Sequence, residues 1–396
     1  MKVETISHKT GDQLPILLDD DGLPIPAPNE FIISRRELSS NTLVRNLREL
    51  AVLYRWLDFE NINLYERILT KSTFTEATIK GSLIEALRRD QENRGKVKKM
   101  AVTPNTFNQR LTTVRQYLGW YFDVELGSMP LNDSNFELVR ENKNRILNWL
   151  DSGFMSASPT NKGMRKGLNG LEIEFLLSIL DPETQGAFGR NSAVKFRNYI
   201  VTMIMLYYGL RPGELLSLRV EDIEIGAISN IRVFRRPPDV KDTRKPRPQI
   251  KRDGRVLPID DSVFAKYLDM YIMEWRDALE EKSDSETDYL ILSDDGEPLS
   301  QSSITQFYQL LRRKFPSKLP PHLTARAFRH TFSSNMEREL RNLGIEEQRR
   351  REILAMVRGD SSLESQSVYI AQEIEEQANK ALKKYQHNLI SEDVPW

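Results

Sequence analysis

The stretch YYGLRPGELLSL (Tyr207–Leu218) places one arginine on a turn between two helices. The apolar run Ala193–Tyr208 reads as a helix that stops at Gly209, and Pro212 suits the first position of the next helix. Gly209 and Gly213 let the backbone bend tightly around Arg211. Read alone, this is equally a turn arginine paired with Glu214 or an arginine held out for an anion.

Downstream lies RRPPDVKDTRKPRPQIKRDGRVLPI (Arg235–Ile259), a basic cluster flanked by two β-type runs, IRVFR and GRVLPI. A solvated loop is the ordinary reading. Between two strands the cluster also reads as a hairpin with a basic tip that can reach a phosphate backbone. Lys251 lies at the foot of the second run, and Lys241 and Lys245 share the loop with it. Further on, LTARAFRHTFSSNM (Leu323–Met336) reads as a helix. Arg326 and Arg329, three residues apart, share one side of it, and bidentate guanidinium groups suit an anion. His330 beside them reads as a structural histidine, since no metal partners accompany it. The last of these features is RGDSSLESQSVYI (Arg358–Ile370), in which Tyr369 taken alone reads as a packing residue.

Upstream, DSGFMSASPTNKGMRKGLNG (residues 151–170) is rich in Gly, Ser and Lys and reads as a linker. Before it, Ser39–Phe59 and Thr103–Phe122 show helical apolar stripes with arginines between them, and NRGKVKKM (Asn93–Met100) is a basic loop. The first 32 residues, rich in Pro and Asp, read as a leader of turns.

The chain has 396 residues, which suits two domains. Its net charge is zero, so a basic total does not reveal the basic cluster; only the distribution does. With no cysteine there is no disulfide, zinc–thiolate site or cysteine nucleophile. No apolar run reaches membrane-spanning length and the amino terminus lacks a secretion signal, so a cytoplasmic protein without a membrane partner is expected. No P-loop, Rossmann glycine pattern or clustered metal ligands occur, and no cofactor or metal is expected.

Taken in order, GLRPGELLSLRVEDI, AFRHTF and GDSSLESQSVY resemble the boxes of the tyrosine recombinase (phage integrase) family. The resemblance covers about residues 171–385; TPNTFNQRLTTVRQYLGWYF resembles, more weakly, the family's core-binding domain. It implies a mainly α fold with a small antiparallel β-sheet in the catalytic domain, built as a two-domain DNA clamp. It implies a leader at 1–32, a helical DNA-binding domain at 33–150, a linker at 151–170, a catalytic domain at 171–385 and a tail at 386–396. The activity implied is cleavage and rejoining of DNA through a 3′-phosphotyrosine, for integration or excision of a mobile element.

By the same resemblance, Tyr369 is the nucleophile, Arg211 and Arg329 clamp the phosphate, and Lys251 is the general acid. The family usually has His where this chain has Arg326, and His or Trp where it has Asp360. An ion pair of Asp360 with Arg326 or Arg358 is the expected replacement. Expected DNA contacts are Arg45, Lys98, Lys99, Arg110 and Arg115 in the first domain and Arg235, Arg236 and Lys245 in the second. The partners implied are double-stranded DNA, a homo-tetramer on that DNA in which the segment after Tyr369 docks on a neighbour, and accessory DNA-bending or partner recombinase proteins. A local helix on its own domain is the other reading of that segment. Alternatives of function are a type IB topoisomerase-like enzyme and a DNA-binding relative without catalysis, the latter suggested by Arg326 and Asp360.

Overall fold

The computed structural model describes residues 1–10, 12–69, 73–89, 101–130, 132–156, 167–250, 254–360 and 368–390, the last segment by backbone alone for 368–376 and 390. The chain divides into two compact units, Met1–Thr160 and Asn161–Trp396.

In the first unit, strands β1 (Lys2–Ser7) and β2 (Gln13–Leu18) pair antiparallel in the register Lys2↔Leu18 to Ser7↔Gln13. Helices α1 (Pro26–Ile33), α2 (Ser40–Phe59), α3 (Leu64–Leu69), α4 (Ile84–Arg88), α5 (Pro104–Ser128) and α6 (Phe136–Asp151) follow, with a π-helical turn at Ala77–Leu83 before α4. The two longest helices start as their sequences predict. Ser39 caps α2 by accepting from the Thr42 amide, and Thr103 caps α5 ahead of Pro104. Their stripes, Leu43, Leu47 and Leu50 against Leu111, Val114 and Leu118, are buried in one core.

The leader differs from its reading as turns. Leu17 on β2 is fully buried, and the Asn29 side chain brackets it, accepting from the Leu17 amide (2.7 Å) and donating to its carbonyl (3.0 Å). The Asp-rich segment does turn, with the Asp19 amide donating to Leu23, but Pro26 opens a helix. In a strand as short as QLPILL the apolar alternation is blurred by Pro15, which a two-stranded edge tolerates.

The second unit opens with α7 (Gly170–Leu180), capped by Asn169. Helix α8 (Ser192–Tyr208) follows, apolar on almost every side and buried along its length. Next come the short α9 (Pro212–Leu215) and strands β3 (Ile223–Glu224), β4 (Ser229–Val233) and β5 (Arg255–Ile259), paired antiparallel in the order β3-β4-β5 with Ser229↔Ile259 through Val233↔Arg255. Ile231, Val233, Leu257 and Ile259 point into the core. Helices α10 (Ser262–Met270), α11 (Asp277–Glu280), α12 (Gln301–Lys314), α13 (Ala325–Asn342), α14 (Glu347–Arg358) and α15 (Val368–Ile390) complete the unit.

Helix α15 bears on two expectations. Its carboxy-terminal half packs within its own unit: Ala381, Leu382 and Tyr385 are buried, and the Tyr385 hydroxyl donates to the Leu206 carbonyl at 2.7 Å. The Gln386 side chain accepts from the Asp260 amide at 3.0 Å. Apolar burial against α8 and α13 holds this stretch of the helix on its own unit, as the other reading of the segment expects. The helix also carries residues 386–390, assigned to a tail, as far as Ile390.

Candidate active site

Arg211 stands where α8 ends and α9 begins. Gly209 closes α8 in the left-handed conformation (φ +58°), and a side chain there would meet the Phe332 ring at 2.5 Å. Glu214, the third residue of α9, reaches back so that its carboxylate accepts from the Arg211 amide (2.9 Å) and from Nη1 of the Arg211 guanidinium (3.0 Å). The same carboxylate accepts from Nη2 of Arg255 at 3.1 Å, and Arg255 Nε donates to the Val357 carbonyl at 2.7 Å. Glu214 is 1% exposed. A carboxylate buried this deeply is tolerated only when its charge is paired and its oxygens are hydrogen-bonded, and two guanidinium groups do both.

Helix α13 supplies Arg329. Its Nη1 donates to the Gly209 carbonyl (2.7 Å) and its Nη2 to the Arg358 carbonyl (2.9 Å), which fixes the guanidinium between the ends of α8 and α14. Burial pushes the Arg329 pKa down to about 10, helped by the neighbouring charge of Arg211 and opposed by Asp360. At neutral pH the group is still a cation.

Asp360 joins the two arginines. One of its oxygens, Oδ1, accepts from Nη2 of Arg211 and from Nη2 of Arg329, the latter at 2.7 Å, and the other, Oδ2, is ion-paired with Nη2 of Arg358 at 2.8 Å. The expected partner Arg358 is thus present. Arg326 is exposed, and no ion pair joins it to Asp360. The two arginines of α13 lie on adjoining flanks, and packing against α8 turns only Arg329 inward. Gly359 terminates α14 at φ +61°, and the Asp360 amide donates to the Ala355 carbonyl at 2.8 Å, so the backbone bearing this carboxylate is held.

The basic segment between β4 and β5 connects two paired strands, as its flanks predict, but much of it folds back on its own unit. Arg236 is engaged by the buried Asp222 and by Glu221 (2.9 Å to the latter). Arg244 lies against Asp242 at 2.9 Å and donates to the carbonyls of Leu216 and Leu299, and Arg247 donates to the Asp242 carbonyl. Arg235, Lys241 and Lys245 are exposed. Lys251 lies outside the described residues. The chain just before it passes close to the Arg211 turn: a side chain at Gly213 would meet the Gln249 carbonyl at 2.8 Å. Tyr369 is the second residue of α15, with its side chain outside the described set.

Among the DNA contacts expected in the first unit, Arg110 and Arg115 are tied internally. Arg110 donates to the Leu87 and Arg89 carbonyls at the end of α4, and Arg115 makes a two-pronged pair with Asp151. Arg45 is exposed, 3.8 Å from Glu49. Lys98 and Lys99 lie outside the described residues.

Sequence reading missed Arg255. Its signal was available: in RVLPI the alternation that turns Leu257 and Ile259 inward turns Arg255 inward as well, and a charge on that face needs a partner. Among the described residues, no group of His, Asp and Glu is placed to hold a metal ion, and no helix is long and apolar enough to cross a membrane.

Residues 172–345 match the model of the phage integrase family. The match takes in Arg211, Arg326 and Arg329 and ends before Gly359 and Tyr369. A search of curated proteins returns no match. Among solved structures, the chain is similar to the XerH site-specific recombinase bound to its difH substrate in a pre-cleavage complex, at 14% identity and a TM-score of 0.52 over 85% of this chain and 79% of that one. It is also similar to the Tn1549 transposon integrase in complex with transposon right end DNA, at 17% identity and a TM-score of 0.51 over 88% of this chain and 96% of that one. At such identities the likeness is one of fold.

Proposed function

Residues 172–345 form a domain of the phage integrase family, and on that premise we propose that the chain is a tyrosine-type site-specific DNA recombinase that cuts and rejoins double-stranded DNA for a mobile element. The observation that carries this reading is the convergence of Arg211 and Arg329, from separate elements, on a single carboxylate oxygen. Two guanidinium groups fixed by backbone carbonyls and by a buried glutamate form a preorganised anion grip, the arrangement that stabilises charge building up on a phosphate.

In this reading Tyr369 attacks a backbone phosphate, leaving a 3′-phosphotyrosine and a free 5′-hydroxyl. The bond energy is kept in the protein–DNA link, so no nucleotide is consumed. Arg211 and Arg329 hold the non-bridging oxygens, and Lys251 protonates the leaving 5′-oxygen. Arg45, Arg235 and Lys245 are exposed and remain candidates for phosphate contacts; Arg110, Arg115 and Arg236 have partners within the protein. The assembly proposed is four subunits on two duplexes, assisted where needed by DNA-bending proteins, acting in the cytoplasm.

The experiment is incubation with nicked suicide DNA carrying the ends of the chain's own element. A covalent protein–DNA complex that disappears in Tyr369→Phe is expected. Recombinant products separate a recombinase from a topoisomerase, which leaves relaxed circles. The second reading, a DNA-binding relative without catalysis, is favoured by the carboxylate of Asp360 lying inside the arginine grip. It predicts tight binding to the same DNA with no covalent complex.

A further inference from the structure

The grip on Asp360 has a two-to-one pattern: Arg211 and Arg329 share Oδ1, while Arg358 alone holds Oδ2. A phosphodiester also presents two non-bridging oxygens that share one negative charge. Guanidinium forks fit carboxylate and phosphate alike. We propose that the Asp360 carboxylate is an internal stand-in for the scissile phosphate, that DNA displaces it, and that Arg358 then becomes a third phosphate-binding arginine on the second non-bridging oxygen. The proposal rests on the recombinase reading and adds to it both a substrate-binding residue and an exchange that precedes cleavage.

Three further observations support it. First, Arg358 has a donor to spare: its Nε is buried and has no hydrogen-bond partner among the described residues, although its Nη2 is engaged. An unsatisfied buried donor beside an anion site is costly unless a ligand takes it up. Second, the local charge is unbalanced. Among the described residues, Arg211, Arg255, Arg329 and Arg358 pair with Glu214 and Asp360 alone. These described groups carry two more positive than negative charges with the stand-in present, which favours an anion. Third, the exchange needs little motion. The hydrogen bond from the Asp360 amide to Ala355 holds the backbone, while the side chain is 30% exposed, so rotation about its first torsion carries the carboxylate toward water. The Arg358 carbonyl stays bound to Arg329, so the arginine remains in place when the carboxylate leaves.

The test is titration of the full chain with inorganic phosphate. Asp360→Asn removes the competing charge and should bind phosphate about tenfold tighter than the natural chain, in line with a charge-assisted hydrogen bond. Asp295→Asn, a change at an exposed carboxylate of the same unit, is the charge control and should leave the affinity unchanged. In the Asp360→Asn background, Arg358→Gln should lose about tenfold, and Arg358→Lys should recover part of the loss. Equal phosphate affinity in the natural chain and Asp360→Asn overturns the stand-in. An equal gain in the charge control overturns it as well, and no loss on Arg358→Gln overturns the third arginine. Suicide DNA forms the separate arm: absence of any covalent complex with the natural chain rejects the recombinase reading, while the phosphate titration still decides the exchange.

Discussion

Glu49, buried in the first unit, and Glu214, buried in the second, are solved differently. Glu49, on α2, is 7% exposed and accepts from the Thr113 hydroxyl at 2.6 Å, with Arg45 only at 3.8 Å. Burial raises its pKa above the ordinary value, and the Thr113 hydrogen bond offsets only part of the rise. Glu214 is 1% exposed and lies between Arg211 and Arg255. The first is a polar contact within a helix core. The second is a fixed negative charge that orients two cations, one of which faces an anion site. A buried carboxylate thus marks chemistry when its partners are charges with donors left over, and packing when its partner is a neutral hydroxyl.

The comparison breaks first at Arg211. Arg211→Ala should lower the rate of covalent complex formation by about 10²–10³-fold, the cost of removing one preorganised donor to a developing charge, while leaving the fold intact by circular dichroism. Covalent complex at the natural rate would show that Glu214 orients a merely structural arginine.

Next, Glu214→Gln should destabilise the second unit by about 3 kcal/mol, because Arg255 is left buried without a counter-charge. Denaturant unfolding followed through the buried tyrosines of α8 measures it. A smaller effect follows from Gly359→Ala. The left-handed backbone at φ +61° and the guanidinium of Arg255, 2.5 Å from any added Cβ, should cost about 1–2 kcal/mol, read in the same unfolding measurement.

The smallest effect belongs to Glu49. A raised folded-state pKa means that this group's contribution to stability is complete below its unfolded value, near 4.5, and is lost as pH rises through the folded value. Glu49→Gln should therefore gain about 0.5 kcal/mol at neutral pH, a figure kept small by Arg45 and by water, and gain nothing in acid. Hydrogen exchange of the α2 and α5 amides at both pH values reads it. A loss of protection at neutral pH would place Glu49 with Glu214 as a carboxylate the fold needs charged.

Much of the site was legible in local pattern. Gly209, Pro212 and the apolar run before them place Arg211 on a helix junction, and the structure has that junction. What pattern could not give is the direction of each side chain. Arg326 and Arg329 are equivalent in sequence, and acceptors from other elements, the carbonyls of Gly209 and Arg358 and the Asp360 carboxylate, select Arg329. The basic segment 235–252 read as a DNA-facing tip. Its arginines were instead partly drawn inward, because Asp222 and Asp242 are buried and need them.

The sequence by itself determined where helices start and stop, the pairing of the strands around the basic segment, and which residues could serve a phosphate. Those signals act between neighbours: a cap, a left-handed glycine, a repeat of apolar positions. Tertiary structure alone decided which charges meet. Arg211 and Asp360 are 149 residues apart. They are joined because α8, α13 and α14 bury their apolar faces in one core and bring their ends together, and charges brought to the rim of such a core must pair with one another until a ligand replaces one of them.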